Sequence, residues 1–169
     1  MHERVHGVIM ERIEPTSRTP DSLLLLAILR ITLGAMFVWV FFENLGKDLY
    51  TPSGYAGLIR YYIEKGSAPA AWKAIMGFMA DHAAVAGPVQ GATELGFGVF
   101  LVAGLATRLV AFAACGFLTS LWVSEWGTAW IWELLVPMVV AACVALGGAG
   151  RRLGLDAVLA RRFPAVPLW

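Results

Sequence analysis

Three ionisable residues stand inside long apolar stretches: Arg30, Glu94 and Glu133. A charge at bilayer depth is costly, so such residues face the interior of a bundle, where they form ion pairs, carry protons or bind ligands. At 1.5 Å per residue, Arg30 lies about 12 Å along its stretch, and Glu94 lies about 18 Å from the same side on the next, antiparallel stretch. An ion pair between them is one expectation; a proton-carrying carboxylate at Glu94 is the other. Glu94 shares a helical face with Gly87, Gly91 and Gly98, and small residues let membrane helices approach closely, so Glu94 is expected to point inward. Glu133 falls about 6 Å below the other surface, and Pro137, four residues on, cannot donate to the Glu133 carbonyl, which leaves a polar notch there.

A second kind of chemistry is suggested by SLWVSEWGTAWIWELL, residues 120–135, where Trp122, Trp126, Trp130 and Trp132 surround Glu125. Tryptophan gathers at membrane interfaces, so an aromatic belt is one reading. Flat aromatic walls with a few polar groups also suit a quinone ring, which makes Trp122, Trp126 and Trp130 candidate cofactor-binding residues. Asn44 joins them, because it lies within roughly 40° of the Arg30 face at 100° per residue and so turns toward the bundle. Glu43 falls on the opposite side, spaced i, i+4 from Lys47 in the order that favours a local surface pair.

The elements that must position these residues follow from composition. Of the residues, 59% are hydrophobic and 15% charged, outside the range of a soluble globular domain. Four windows of about 20 apolar residues are long enough to cross a bilayer. They predict transmembrane helices over 23–46, 83–106, 109–126 and 129–148, forming a single all-α membrane domain, a four-transmembrane-helix bundle. The intervening segment 51–82 holds YAGLIRYYIEK and AAWKAIMGFMA, each too short to span and separated by GSAP. They are expected as two short interfacial helices in the first outer loop, with Tyr55, Tyr61, Tyr62 and Trp72 at headgroup level. Residues 1–21 and 149–169 read as tails, and the apolar run after residue 22 is too long for a signal-peptide core.

Orientation rests on Lys and Arg. Arg4, Arg12, Arg18, Arg108, Arg151, Arg152, Arg161 and Arg162 fall on one side, and Lys47, Arg60, Lys65 and Lys73 on the other. By the positive-inside rule both termini are cytoplasmic. The net charge of +1 implies no nucleic-acid partner. The histidines, His2, His6 and His82, avoid helix interiors, so neither haem nor a metal site is expected in this chain. Cys115 and Cys143 lie within predicted helices and read as packing residues.

The stretches LRITLGAMFVWVFFENLGKDLYTPSGY, TELGFGVFLVAGLATR, LWVSEWGTAWIWELLVP and GAGRRLGLDAVLARR resemble the DoxX-like family of four-helix membrane proteins, and within it the DoxD-type subunit of thiosulfate:quinone oxidoreductase. The resemblance implies a multi-pass protein of the prokaryotic cytoplasmic membrane, working with a separate DoxA-like small subunit. It implies electron transfer from thiosulfate to quinone, giving tetrathionate. On that expectation Glu94, Glu133 and Arg30 are the candidate catalytic residues, quinone is the cofactor, and Lys47 and Arg60 attract the anion. The alternative is a non-catalytic accessory subunit of a larger respiratory or photosynthetic membrane complex, supplying helix packing and an aromatic surface. A small transporter, with the three charges as a polar path, is a third reading, without an evident inverted repeat to support it.

Overall fold

The computed structural model describes residues 20–165; the first 19 residues, and with them most of the expected N-terminal tail, lie outside the described part, as do the last four. The order of elements is α1 (Pro20–Gly46), α2 (Pro52–Lys65), α3 (Ala70–Asp81), α4 (Ala83–Ala103), α5 (Thr107–Ser124), α6 (Ile131–Gly147), a 3-10 turn (Ala149–Arg151) and α7 (Leu155–Arg162). Helices α1, α4, α5 and α6 form the bundle, with α1 packed chiefly on α4 and α5 on α6. The short helices α2 and α3 pack on each other and over the start of α4. All described regular structure is helical.

Three helices are long and apolar enough to cross a membrane: α1 from Asp21, α4 and α5. Helix α6 is apolar and, at 17 residues, about 25 Å long, at the lower limit of a hydrocarbon core. The outward side chains of the bundle are also apolar. Trp39, Val99, Phe112 and Val139 are all exposed, a surface that water does not tolerate in a contiguous patch. The chain is therefore a multi-pass membrane protein.

Two cores fill the interior. The larger, between the bundle helices, contains Leu33, Phe37, Leu101, Leu118 and Val144, with Phe37, Phe97 and Phe117 tilted against one another at 5.5–6.4 Å. The smaller lies under α2 and α3 and holds Tyr55, Ile59 and Met76. Tyr55 is 2% exposed, so it belongs to this core and not to the membrane surface expected from the sequence; Tyr61, further along α2, is exposed.

The α1–α4 contact depends on two glycines. A Cβ on Gly98 would stand 2.6 Å from a Val38 methyl, and one on Gly34 would stand 2.9 Å from the Gly98 carbonyl oxygen. This register also corrects the expected Arg30–Glu94 pair. Gly34 faces Gly98 and Val102, which puts Arg30 level with Gly104, ten residues and about 15 Å from Glu94 along α4. Long helical side chains lean toward the N-terminus of their own helix. In antiparallel neighbours the two therefore diverge, Arg30 toward one end of the bundle and Glu94 toward the other.

At its end Arg30 is fully buried and donates from Nη2 to the Leu153 carbonyl at 2.6 Å. Its other terminal nitrogen occupies the space that side chains on Gly104 and Gly154 would fill. Asp156, 2% exposed and within electrostatic reach of Arg30, accepts from the Ala106 and Thr107 amides at 2.7 and 2.9 Å. It thereby caps α5, where the unsatisfied amides and the helix dipole favour an anion. Ala106 and Leu153 both have positive φ, 48° and 53°, a conformation costly for residues with a Cβ. Each is held by one of these charged side chains. The segment after α6, expected as a tail, thus folds back and closes this end of the bundle. Helix α4 stops at Ala103 because Gly104 takes φ 67°, the left-handed C-terminal position that glycine fills without strain.

Candidate functional site

At the opposite end, the face of α4 that carries Gly87, Gly91, Glu94 and Gly98 is buried throughout, as the spacing predicts. Its glycines serve two neighbours. Gly98 admits α1, while Gly91 and Gly87 admit the turn after α1. The ring of Tyr50 lies flat on Gly91, where a Cβ would be 3.1 Å from three ring carbons, and the Tyr50 carbonyl oxygen lies 2.7 Å from the Cβ position of Gly87. Phe41 stacks on the ring from the other side at 5.4 Å. So held, the Tyr50 hydroxyl donates to Glu94 Oε2. Asn44 Nδ2 reaches the same oxygen at 3.2 Å, and Gln90 Nε2, one turn back on α4, donates to Oε1 at 2.9 Å.

Glu94 is 1% exposed and each of these three donors is neutral. A buried carboxylate is ordinarily paired with a cation or neutralised by a proton; here hydrogen bonds alone satisfy its oxygens. Burial, then the hydrogen bond to Glu94, push the Tyr50 hydroxyl above its ordinary value, so it stays a donor. Tyr55 lies close by. Its buried hydroxyl has no hydrogen-bond partner among the described residues, and burial followed by the Glu94 charge raises its pKa as well.

Glu94 and Asn44 line a cavity of about 1130 Å³ between the α2–α3 cover and the bundle. Tyr62, Trp72 and Met76 form part of its wall, and Glu125 and Glu133 also border it. Tyr62 donates to Glu125 at 3.3 Å, and Trp72 donates from its indole nitrogen to Ser124 at 2.9 Å. These two bonds tie the cover to the end of α5. Burial pushes the Glu125 carboxyl up, the Tyr62 hydrogen bond opposes the shift, and the Glu133 charge adds to it. Glu133 itself, in the first turn of α6, is exposed.

The structure therefore brings Asn44, Glu94 and Glu133 to one cavity and leaves Arg30 at the far end. Trp122, Trp126 and Trp130 border a different feature, a notch of about 90 Å³. Trp122 stacks on Trp126 at 5.3 Å, and Trp126, Trp130 and Trp132 are exposed, as an aromatic belt requires. The aromatic walls of the main cavity come instead from Tyr62 and Trp72. The sequence reading missed Tyr50, Gln90, Tyr55 and Tyr62. Gln90 carries a signal, being four residues before Glu94 on one face. Tyr50 carries none, because its position depends on the turn at Asp48, with φ 56°.

The basic residues of the loop are engaged locally. Lys47 pairs with Glu43 at 2.5 Å as the spacing predicts, Arg60 pairs with Asp81 at 3.5 Å, and Lys73 donates to the Ile63 and Gly66 carbonyls at the end of α2. Four carboxylates (Glu43, Glu94, Glu125 and Glu133) and one ammonium, Lys47, line the cavity. Among the described residues no three His, Cys, Asp or Glu side chains gather as metal ligands.

Apolar helices of membrane-spanning length around a buried, hydrogen-bonded carboxylate define a multi-pass membrane protein with an internal polar site. Residues 25–125, more than half of the chain and including Asn44, Tyr50, Gln90 and Glu94, match the DoxX family, and the chain belongs to that family. No curated protein and no solved structure matches it.

Proposed function

We propose that this chain is the quinone-binding membrane subunit of a thiosulfate:quinone oxidoreductase-like complex, with four spanning helices and both termini in the cytoplasm. The observation that carries the reading is Glu94, a buried carboxylate held by Asn44, Tyr50 and Gln90 without a cation at the wall of a cavity large enough for a substituted ring. A quinone suits it: Tyr62, Trp72 and Met76 supply apolar or aromatic wall, and Asn44, Gln90 and Glu94 converge as polar groups at one part of it. When bound, the quinone supplies the two-electron, two-proton acceptor, while two thiosulfates give up the two electrons and join as tetrathionate.

This chain's residues then have distinct tasks. Asn44 and Tyr50 hold the Glu94 carboxylate in place, and Glu94 holds or releases a proton at its oxygens. Glu125 and Glu133 border the same cavity and provide carboxylates between Glu94 and outer water. A cavity with four carboxylates and one ammonium repels a dianion, and Lys47 and Arg60 are occupied by their own partners. The thiosulfate site therefore belongs on a partner chain, the DoxA-like subunit.

Thiosulfate-dependent quinone reduction by the chain purified with its partner tests this. Glu94→Gln is expected to lower turnover by on the order of 100-fold, within the range of a lost proton-transfer group, with the complex still assembled. Unchanged turnover would sink the role of Glu94. The isolated chain is expected to bind a quinone analogue and not thiosulfate.

The accessory-subunit reading draws on a different feature, an apolar groove of about 910 Å³ along α1 and α4 lined by Trp39, Phe42, Val99 and Val102, which is suited to packing on other membrane helices. Co-purification with a larger assembly whose turnover persists when this chain is deleted would favour it.

A further inference from the structure

At the end of the bundle away from Glu94, a pocket of about 340 Å³ is bounded by Leu23, Arg108, Leu146, Gly147, Gly148 and Arg151. Three helix ends meet there: the start of α1, the start of α5 and the end of α6. The pocket combines two guanidinium groups with glycine backbone at its wall and an apolar rim. Leu146 is 73% exposed and Leu23 lies near the start of a membrane-spanning helix, so the rim is at the edge of the hydrocarbon layer.

We propose that this pocket is a specific site for the phosphate group of an anionic glycerophospholipid, the acyl chains running down the exposed face beside Leu146. Arg108 donates from Nε to the Ala145 carbonyl at 3.4 Å, which fixes its guanidinium plane and leaves its two terminal nitrogens for another acceptor. Arg151 follows Gly148, whose φ of 69° turns the chain out of α6 and brings Arg151 to the wall of the same pocket. Paired guanidiniums match phosphate oxygens in geometry as well as charge. Basic pockets between helix ends at headgroup level are where anionic headgroups are held. Asp156, the buried carboxylate at this end, caps α5 from within the bundle. The site does not depend on the redox reading.

The test uses the full chain, purified in detergent and stripped of lipid. Phosphatidylglycerol, phosphatidylcholine and inorganic phosphate are each titrated, with bound lipid counted by native mass spectrometry and thermal unfolding followed in parallel. One phosphatidylglycerol per chain is expected to be retained, and Arg108→Gln/Arg151→Gln is expected to weaken it by about tenfold or more. Arg161→Gln/Arg162→Gln, which removes equal charge outside the pocket, is expected to leave it unchanged. Arg108→Lys/Arg151→Lys keeps the charge and guards against a folding defect; intermediate affinity is expected from it. Equal loss in the Arg161/Arg162 variant, or full retention in the Arg108/Arg151 variant, overturns the site in favour of general attraction to basic residues. Equal binding of phosphatidylcholine, or displacement by inorganic phosphate at matched concentration, overturns the anionic lipid as its occupant.

Discussion

Glu94 and Asp156 are both buried carboxylates, and they show how differently one functional group can be used. Asp156 accepts from two backbone amides at a helix start and stands near a buried arginine, so its charge is compensated from two directions. Glu94 has only neutral side-chain donors. The first arrangement ties a helix start to a buried cation, while the second holds a carboxylate at the wall of a cavity by neutral donors. Asp156→Ala is accordingly expected to lower stability by about 3 kcal/mol, from two lost charge-assisted hydrogen bonds and a buried guanidinium left without its counter-charge. Unfolding in mixed detergent micelles measures this, and a loss below about 1 kcal/mol, the ordinary worth of a cap, would show that the cluster is weaker than its burial implies.

Among the helices, α4 organises the molecule, because its glycine face receives α1 on one part and Tyr50 on another. Gly98→Ala puts a methyl into Val38 and the Gly34 carbonyl; overpacking of this kind costs about 1–3 kcal/mol and is expected to force α1 away from α4. Gly116 on α5 has no neighbour within 4 Å of its Cβ position. Gly116→Ala is expected to be neutral or to stabilise by up to about 1 kcal/mol through helix propensity. Comparing the two melting curves separates close packing from propensity, and equal destabilisation would remove the packing argument. The cover formed by α2 and α3 is held differently, by side-chain hydrogen bonds from Tyr62 and Trp72 to the end of α5.

For the molecule as a whole, that cover links stability to pH. The Glu125 carboxyl is raised in the folded state, chiefly by burial, so the folded protein binds the proton more tightly than the unfolded chain. Its contribution is fully present below the ordinary glutamate value and is lost as pH rises through the raised folded value. Unfolding measured across mildly acidic to neutral pH should show stability falling in that window, and Glu125→Gln should flatten the slope. A wild-type profile without the fall would mean that Glu125 is better solvated than its position suggests. The same map of charge divides the ends of the bundle: carboxylates gather around the cavity under the cover, and arginines at the opposite pocket.

Apolar length and small-residue spacing determined from the sequence alone that this is an all-α membrane bundle, that Glu94 points inward, that Asn44 turns toward the bundle and that Glu43 pairs with Lys47. Each follows from the 3.6-residue period or from bilayer thickness, which are local quantities. The helix register did not follow. Depth counted from predicted ends placed Arg30 near Glu94, but Gly34 meeting Gly98 slides α1 along α4, and the lean of side chains toward each N-terminus sends the two charges apart. Nor did the residues that complete the Glu94 site follow in full, because Tyr50 and Tyr55 are brought there by the turn after α1 and by a core that exists only once α2 and α3 have packed. Only tertiary structure sets contacts between segments far apart in the chain, and for this protein those contacts decide which of its buried charges clasps helix ends and which lines the cavity.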